Sequence, residues 1–142
     1  MTQIDFYFHV EDRLQTACKL SAKAVAGGLR VFAFCPDEET VRKLDRMLWT
    51  TPAIGFVPHC GPRHDLAAVT PVIVDHSGTN LVHDQVLLNL RPDLPEFFSR
   101  FQRLIEVVSI DEDDRRAARG RYKFYRDRGY EIRNHDLSQQ AQ

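Results

Sequence analysis

The sequence predicts a three-layer α/β fold in which helices cover both faces of a mostly parallel, Rossmann-like sheet. Two observations support this fold class: apolar segments typical of strands alternate along the chain with segments of helical periodicity, and glycine or proline residues stand at several of their boundaries. The chain has 142 residues, which suits one domain with a substantial core. We predict a single domain over residues 1–133 and a flexible C-terminal tail over residues 134–142.

The first half of the chain predicts two strands, each followed by a helix. Period-two apolarity in the first strand places every second residue on one side: Ile4, Phe6, Phe8 and Val10. Capping residues and helix breakers bound the two helices. The predicted elements are a strand at 4–10, a helix from Asp12 to Gly27-Gly28, a strand at 30–35 and a helix from Pro36 to Pro52.

The second half begins with a loop at about 53–70 that is rich in proline, glycine and histidine. Beyond it, aromatic and aliphatic residues at helical spacing between Phe97 and Val108 predict a helix from about residue 94. The other predicted elements are a strand at 72–75, a turn at 77–80, a strand at 85–90, a helix at 112–128 that Gly129 stops, and a short strand at 130–132.

Composition excludes some classes of protein. With 19 basic and 20 acidic residues the net charge is −1, which argues against a protein that coats nucleic acid. Cys18 and Cys35 occupy apolar positions of a predicted helix and strand, so we expect buried thiols in a reducing compartment. The first residues do not resemble a signal peptide, and no apolar run is long enough for a membrane span. We therefore expect a cytoplasmic protein.

Phosphate-binding loops are missing from the predicted sheet. The chain contains neither G-x-G-x-x-G nor G-x-x-x-x-G-K-[ST], and Gly27-Gly28 follows a helix instead of a strand. Those two glycines are therefore interpreted as a helix C-cap. We expect no nucleotide and no other cofactor.

One enzymatic alternative rests on Asp75. The segment VIVDHSGT at 72–79 resembles the first motif of haloacid-dehalogenase-like phosphatases, in which Asp75 would accept a phosphoryl group with the help of magnesium. The lysine and the acid pair that this chemistry also needs do not follow at strand ends, so a turn after a buried strand is the simpler interpretation. His59, Cys60 and His64 match no standard zinc spacing, and we expect no metal site there.

Residues 48–59 (LWTTPAIGFVPH) place large apolar side chains in a segment bounded by prolines. Loops seldom carry so much apolar surface unless something covers it. One interpretation is a small core beneath the loop. The other is a protein-binding patch with Trp49 and Phe56 as anchors.

The segment DEDDRRAARGRYKFYRDRGY at 111–130 is the most unusual part of the chain. Seven Lys or Arg residues and one acid lie between Arg115 and Arg128. Four residues of this segment would share one face of a helix: Arg119, Tyr122, Lys123 and Arg126. A solvated helix with charges matched to its macrodipole would explain the pattern. A site for a short acidic peptide or a terminal carboxylate would explain it too, because an arginine guanidinium can donate two parallel hydrogen bonds to a carboxylate.

At these two segments the chain resembles the chi subunit family of bacterial DNA polymerase III holoenzyme. The resemblance rests on LW-x-x-P-x-x-x-FVPH at 48–59 and RYK-x-YR-x-x-G at 121–129, and the order of elements agrees along nearly the whole chain. It implies a non-catalytic adaptor with a nucleotide-binding-like α/β fold.

The resemblance also implies two partners. The psi subunit of the clamp loader would bind at Trp49, Pro52 and Phe56. The acidic C-terminal tail of single-stranded DNA-binding protein (SSB), which ends in an apolar residue with a carboxylate, would bind at Arg119, Tyr122 and Lys123, with Val108 in the adjoining apolar wall. Arg126 shares that helical face and completes the predicted tail site. No direct contact with nucleic acid is expected.

Overall fold

The computed structural model describes residues 1–50, 57–79 and 81–139, which form one seven-stranded sheet covered by helices on both faces. The strands are β1 Gln3–Val10, β2 Val31–Phe34, β3 His59–Cys60, β4 Val72–Asp75, β5 Val86–Asn89, β6 Arg103–Ser109 and β7 Ile132–Asp136. The helices are α1 Arg13–Ala26, α2 Glu38–Thr50 and α3 Glu112–Asp127. The strand order is β3-β4-β2-β5-β6-β1-β7, and every recorded strand pair is parallel. The predicted fold class is confirmed.

The core has two parts, one on each face of the sheet. The α1 and α2 side includes Ala17, Cys18, Leu44 and Leu48 packed on alternate residues of the strands. The α3 side is aromatic and includes Phe6, Phe32, Phe34, Phe98, Phe101 and Tyr125. Central strands β2 and β5 are buried at every residue, as expected for a parallel sheet covered on both faces.

The strands and helices predicted for the first half are confirmed, and the capping residues of α1 act as predicted. Pro52, the predicted end of the second helix, lies outside the described residues. Asp12 is the N-cap of α1 and its carboxylate accepts a hydrogen bond from the Gln15 amide. Gly27 is the C-cap, and Gly28 has φ +83°, a left-handed conformation that glycine adopts easily. Cys18 and Cys35 are buried, and burial raises the pKa of their thiols to about 11 and about 12.

The predicted helix from residue 94 to 108 is wrong. The segment contains a single 3-10 turn at Phe98–Arg100 and then strand β6, which lies between β5 and β1. β6 is buried from Leu104 to Val108, so apolar side chains are needed on both of its faces. Periodicity alone cannot distinguish such a nearly continuous apolar segment from a buried helix. The 3-10 turn adds spacings of three residues that imitate a helical pattern.

A second correction concerns the end of β1. Ile4, Phe6 and Phe8 share one side of the sheet, as predicted, and it is the α3 side; Val10, predicted on the same side, is buried on the opposite one, against α1. The pairing of β1 with β6 breaks between Tyr7 and Val10, where β1 holds one more residue than β6. Because side chains alternate with period two, one extra residue moves Val10 to the other face.

The predicted tail boundary is also wrong. β7 extends to Asp136 and pairs with β1 from Ile4↔Ile132 to Phe8↔Asp136, and a 3-10 turn follows at Leu137–Gln139. Residues 134–139 therefore belong to the structured part of the chain, whereas residues 140–142 of the predicted tail lie outside the described residues. The last strand lies later than the predicted 130–132. The predicted loop at 53–70 contains β3, a two-residue edge strand that pairs with β4 and carries no strand signal of its own.

Candidate functional site

A surface cavity of about 400 Å³ lies between α3 and the ends of β1, β6 and β7. Apolar side chains line part of it: Phe6, Phe8, Val108 and Ala118. Polar and charged side chains line the rest: Arg115, Arg119, Tyr122, His9 and Asn134. A cavity with an apolar part and two guanidinium groups suits a ligand that carries both an apolar group and negative charge.

A buried polar cluster fixes α3 against the sheet. The Glu106 carboxylate of β6 lies 3.2 Å from Arg121 Nε and accepts hydrogen bonds from the Tyr125 hydroxyl (2.7 Å) and the Asn89 amide (2.9 Å). Arg121 also donates to the Pro92 carbonyl. Glu106 and Arg121 are 0% and 4% exposed, so this cluster lies inside the protein and sets the rotation of α3.

Burial controls the ionisation of this cluster. It raises the pKa of the Glu106 carboxyl above its ordinary value, while Arg121 and the hydrogen bonds from Tyr125 and Asn89 act in the opposite direction. Burial, and then the neighbouring Glu106, raise the pKa of the Tyr125 hydroxyl. Tyr125 therefore stays protonated and donates to Glu106.

The rotation of α3 determines which basic residues reach the cavity. Ala118, Arg121 and Tyr125 are buried against the sheet, so Arg115 and Arg119 stand beside the cavity, one turn apart. Both arginines face Glu112 in the first turn, at 3.7 Å for Arg115 and 3.3 Å for Arg119. The two guanidinium groups are thus held together at the cavity by one exposed carboxylate.

Tyr122 is held by one contact at its ring and one at its hydroxyl. The ring centroid lies 5.0 Å from that of Phe6, and the hydroxyl accepts a hydrogen bond of 3.1 Å from the Asn134 amide of β7. Asn134 falls in the predicted tail, but β7 places it in the cavity wall. Tyr122 therefore presents a fixed aromatic surface to a ligand.

The structure brings together three of the five residues predicted for tail binding. Val108, Arg119 and Tyr122 line the cavity, whereas Lys123 and Arg126 are exposed on α3 outside its lining. Arg126 Nε lies 3.6 Å from the carboxylate of the neighbouring Asp127. Lys123 and Arg126 thus contribute to the charge of the helix without forming the cavity.

Sequence reasoning missed Arg115 and His9, which also line this cavity. Arg115 stands four residues before Arg119, a helical spacing that would have placed it on the same side. His9 belongs to a strand far from α3 in the sequence, and no local pattern connects the two. Buried Arg121 was also missed, although its spacing from Ala118 and Tyr125 marks the inward stripe of the helix.

Trp49, at the end of α2, is 61% exposed. Its indole packs edge-on against the His59 ring, with centroids 5.3 Å apart. It lines a second cavity of about 440 Å³ together with Val41, Cys60 and Val74, and with polar residues of α2. Pro52 and Phe56, the other two residues predicted for this patch, lie outside the described residues.

Asp75 does stand at the C-terminal end of strand β4, as the phosphotransferase alternative requires. Among residues 1–50, 57–79 and 81–139, no group of three or more His, Cys, Asp and Glu side chains is arranged to hold a metal ion. Gly78 of the same motif has a packing role, because a Cβ there would lie 2.3 Å from Phe97 Cε1. The motif is therefore explained by a tight turn against an aromatic ring.

His59, from the histidine-rich loop, has protein partners at both ring nitrogens. Nδ1 lies 2.7 Å from the Val57 carbonyl oxygen, and Nε2 lies 3.1 Å from the Asp45 carboxylate. The imidazole thus links the loop to α2.

No helix in the part of the chain that the structure describes is long and apolar enough to cross a membrane.

The fold and its cavities define an α/β binding protein without phosphate loops. Residues 1–133 match the family model of the DNA polymerase III chi subunit, HolC. The chain belongs to this family. It is therefore an accessory subunit of the DNA replication machinery, without enzymatic activity of its own.

Three relatives agree with this family, and each is a DNA polymerase III subunit chi. The Pseudomonas aeruginosa (strain PAO1) protein is 35% identical over 141 residues, which cover 96% of this chain and 98% of the relative. The Escherichia coli (strain K12) protein is 31% identical over 122 residues, which cover 83% of this chain and 81% of the relative. The Haemophilus influenzae (strain Rd) protein is 30% identical, with 83% of each covered.

Proposed function

We propose that this protein is a cytoplasmic adaptor that links the clamp loader, through a psi subunit, to the acidic C-terminal tail of SSB during DNA replication. The tail would bind in the cavity between α3 and the ends of β1, β6 and β7. The psi subunit would bind the surface around Trp49. Both partners are inferred from the chi family, and the chemistry of the two surfaces supports them.

The observation that carries the proposal is the pairing of apolar and cationic groups in the α3 cavity. Val108, Phe8 and Ala118 offer an apolar surface to the last side chain of the tail. Arg115 and Arg119 stand beside them and suit its terminal carboxylate. Lys123 and Arg126, further along α3, would attract the acidic residues that precede the end of the tail.

Exposure of the arginines determines the strength of binding. Arg119 is 60% exposed on its side chain, so water and salt screen its charge. We expect an affinity on the order of micromolar that falls as salt rises. Because SSB presents several tails, attachment to coated DNA would be strengthened by avidity.

The second surface is suited to an apolar partner. Trp49 exposes most of its indole beside a cavity with Val41 and Val74, which charged residues of α2 also line. Exposed tryptophan is typical of residues that dominate binding energy at protein interfaces. Pro52 and Phe56 follow Trp49 closely in the sequence, and we assign them to the same interface.

The tail site is tested by calorimetry with a synthetic peptide of the SSB C terminus. Arg119→Ala should weaken binding by about 1–3 kcal/mol, because a charge-assisted contact is lost, and should leave the fold intact. Arg116→Ala is the matched control, since Arg116 lies on the same helix but does not line the cavity. Equal affinities of the wild type and Arg119→Ala would remove Arg119 from the site.

The psi surface is tested by co-purification with the psi subunit. Trp49→Ala should abolish the complex and leave binding of the tail peptide unchanged, because the two surfaces share no residue. Leu66→Ala, at another exposed apolar residue, is the control. Tight, strongly salt-dependent binding of bare single-stranded oligonucleotide would contradict the adaptor role and favour direct contact with DNA.

A further inference from the structure

His9 lies at the end of β1, in the part of the cavity wall contributed by the sheet. Its backbone has φ +59°, and within residues 1–50, 57–79 and 81–139 it is the only residue other than glycine with positive φ. Side chains rarely adopt this left-handed conformation because the Cβ meets the following carbonyl oxygen. A glycine at this position would avoid that steric cost, yet the sequence has histidine.

The bulge in β1 explains the unusual backbone of His9. Between Tyr7 and Val10 the strand contains one more residue than β6, and Val10 returns to the α1 side of the core. The extra residue leaves the regular alternation, which lets its side chain take a direction that a regular strand would not give. Strained positions of this kind are concentrated at ligand sites.

A carboxylate on β7 fixes the imidazole of His9. Nδ1 lies 2.7 Å from Asp136 Oδ1, and Asp136 also accepts hydrogen bonds from the Ser138 amide and hydroxyl. Because a carboxylate only accepts, the proton of this hydrogen bond belongs to Nδ1. Nε2 makes no hydrogen bond to any residue that the structure describes, so it remains available to a ligand.

The charges around His9 come from several elements. Negative charge near the imidazole comes from Asp136 of β7 and from Glu11 and Asp12 of the loop after β1. Positive charge comes from the guanidinium groups of α3 that share the cavity and from the ammonium groups of α1 that line the groove on the other side of His9. These cations are Arg115, Arg119, Lys19 and Lys23. A bound carboxylate would offset the two arginines and thereby favour a proton on Nε2.

We propose that His9 is a further ligand-binding residue of the α3 cavity, which takes up a proton at Nε2 when the carboxylate of an acidic, C-terminal peptide binds. The inference rests on the proposed tail site. No covalent step is involved: solvent supplies the proton, Nε2–H donates to the ligand carboxylate, and Asp136 holds Nδ1. Histidine suits this role because it exchanges its proton near neutral pH.

The test uses calorimetry of the intact protein with the SSB tail peptide at pH 6 and pH 8. Wild-type affinity should rise by roughly three- to tenfold at the lower pH, since a charge-assisted hydrogen bond is added. Binding enthalpies measured at pH 7 in buffers of different ionisation enthalpy should show uptake of a fraction of one proton. A merely structural histidine would give neither the pH dependence nor the buffer dependence.

His9→Asn is the informative variant, because asparagine tolerates left-handed backbone and can still donate to Asp136, but carries no charge. His9→Gly is the second variant. Glycine adopts the left-handed backbone without steric cost, so this variant is expected to fold even if His9→Asn does not. Both should fold, bind the peptide more weakly at pH 6 and lose the proton uptake. Unchanged affinity and unchanged proton uptake in His9→Asn would overturn the inference.

Arg119→Ala separates failure of this inference from failure of the proposed function. If Arg119→Ala binds the peptide more weakly than the wild type does, the site exists and the histidine variants decide the role of His9. If the wild type does not bind the peptide at either pH, the proposed tail site fails, and the inference fails with it.

Discussion

Glu106 and Arg121 form a buried ion pair, with 3.2 Å between Oε2 and Nε, that joins β6 to α3. Neither residue lines the α3 cavity. The pair determines which basic residues of α3 face the cavity and which face the sheet.

Removing one member of this pair should destabilise the protein strongly. Glu106→Gln leaves the Arg121 guanidinium buried without a compensating charge, and we expect a loss of about 3–5 kcal/mol in the free energy of unfolding at pH 7. Glu106→Met/Arg121→Met should be more stable than Glu106→Gln, since no unpaired charge remains. Urea denaturation measures both. A double variant that is less stable than Glu106→Gln would contradict this account.

Arg121→Met has a defined pH dependence. Without Arg121, burial raises the pKa of Glu106 further, so folding favours the protonated carboxyl. Because its folded-state pKa is raised, protonated Glu106 stabilises the folded variant fully below the ordinary glutamate value of 4.5. This stabilisation is lost as pH rises through the folded-state pKa. The variant should therefore approach the wild type in stability at low pH and fall behind as pH rises. A constant difference between pH 4 and pH 8 would argue against an ionisable Glu106.

Glu112 should compete with the ligand for the arginines of the cavity. Its carboxylate lies 3.3 Å from Arg119 and 3.7 Å from Arg115, so a peptide carboxylate must displace it. Glu112→Gln should bind the SSB tail peptide about two- to fivefold more tightly, the range expected for exposed ion pairs. Asp113→Asn is the control, because Asp113 pairs with Arg116 outside the cavity. Calorimetry that showed equal tightening in both variants would assign the effect to the helix dipole.

Asp136 should contribute to stability in a defined pH range. The hydrogen bond from His9, followed by those from Ser138, lowers the pKa of this carboxyl from 3.8 to about 2. A lowered pKa stabilises the folded state above the ordinary value, and the contribution is lost as pH falls through about 2. The difference in melting temperature between the wild type and Asp136→Asn should therefore shrink from pH 5 to pH 2. A difference that stays constant over this range would show that the His9 contact does not shift the carboxyl.

Two glycines provide a matched pair of tests for packing. Gly78→Ala places a Cβ 2.3 Å from Phe97, whose ring packs on Phe34 with centroids 5.0 Å apart, and should destabilise the protein by about 1–3 kcal/mol. Gly120→Ala, on the exposed side of α3 with no atom within 4 Å, should stabilise it by about 0.5–1 kcal/mol. Thermal unfolding measures both. Equal effects at the two positions would contradict the packing role of Gly78.

Much of the chain could be predicted because its signals are local. The caps of α1, the helical stripe of α3 and the strand patterns of β2, β4 and β5 depend on residues close in sequence. The helix wrongly predicted at 94–108 shows the limit of local signals. β6 is buried by α3 on one side and by α1 on the other, so only its place in the sheet distinguishes it from a helix.

The candidate site was predicted in part for the same reason. Arg119 and Tyr122 share a helical face with Val108 nearby, and this much follows from periodicity and from the family resemblance. The choice between Arg115, which lines the cavity, and Arg121, which is buried, depends on where Glu106 lies in the folded sheet. Glu106 lies in β6, the strand for which the sequence predicts a helix.

The sequence by itself determined the α/β class, most of the strands and helices, the basic and aromatic character of α3 and the family. Each of these depends on periodicity, composition or motifs, which are properties of neighbouring residues. Only the tertiary structure decided that His9, Arg115 and Asn134 line one cavity, because they come from β1, α3 and β7. Parallel strands are adjacent in space but distant in sequence, and a one-residue bulge redirects a side chain without leaving a local pattern.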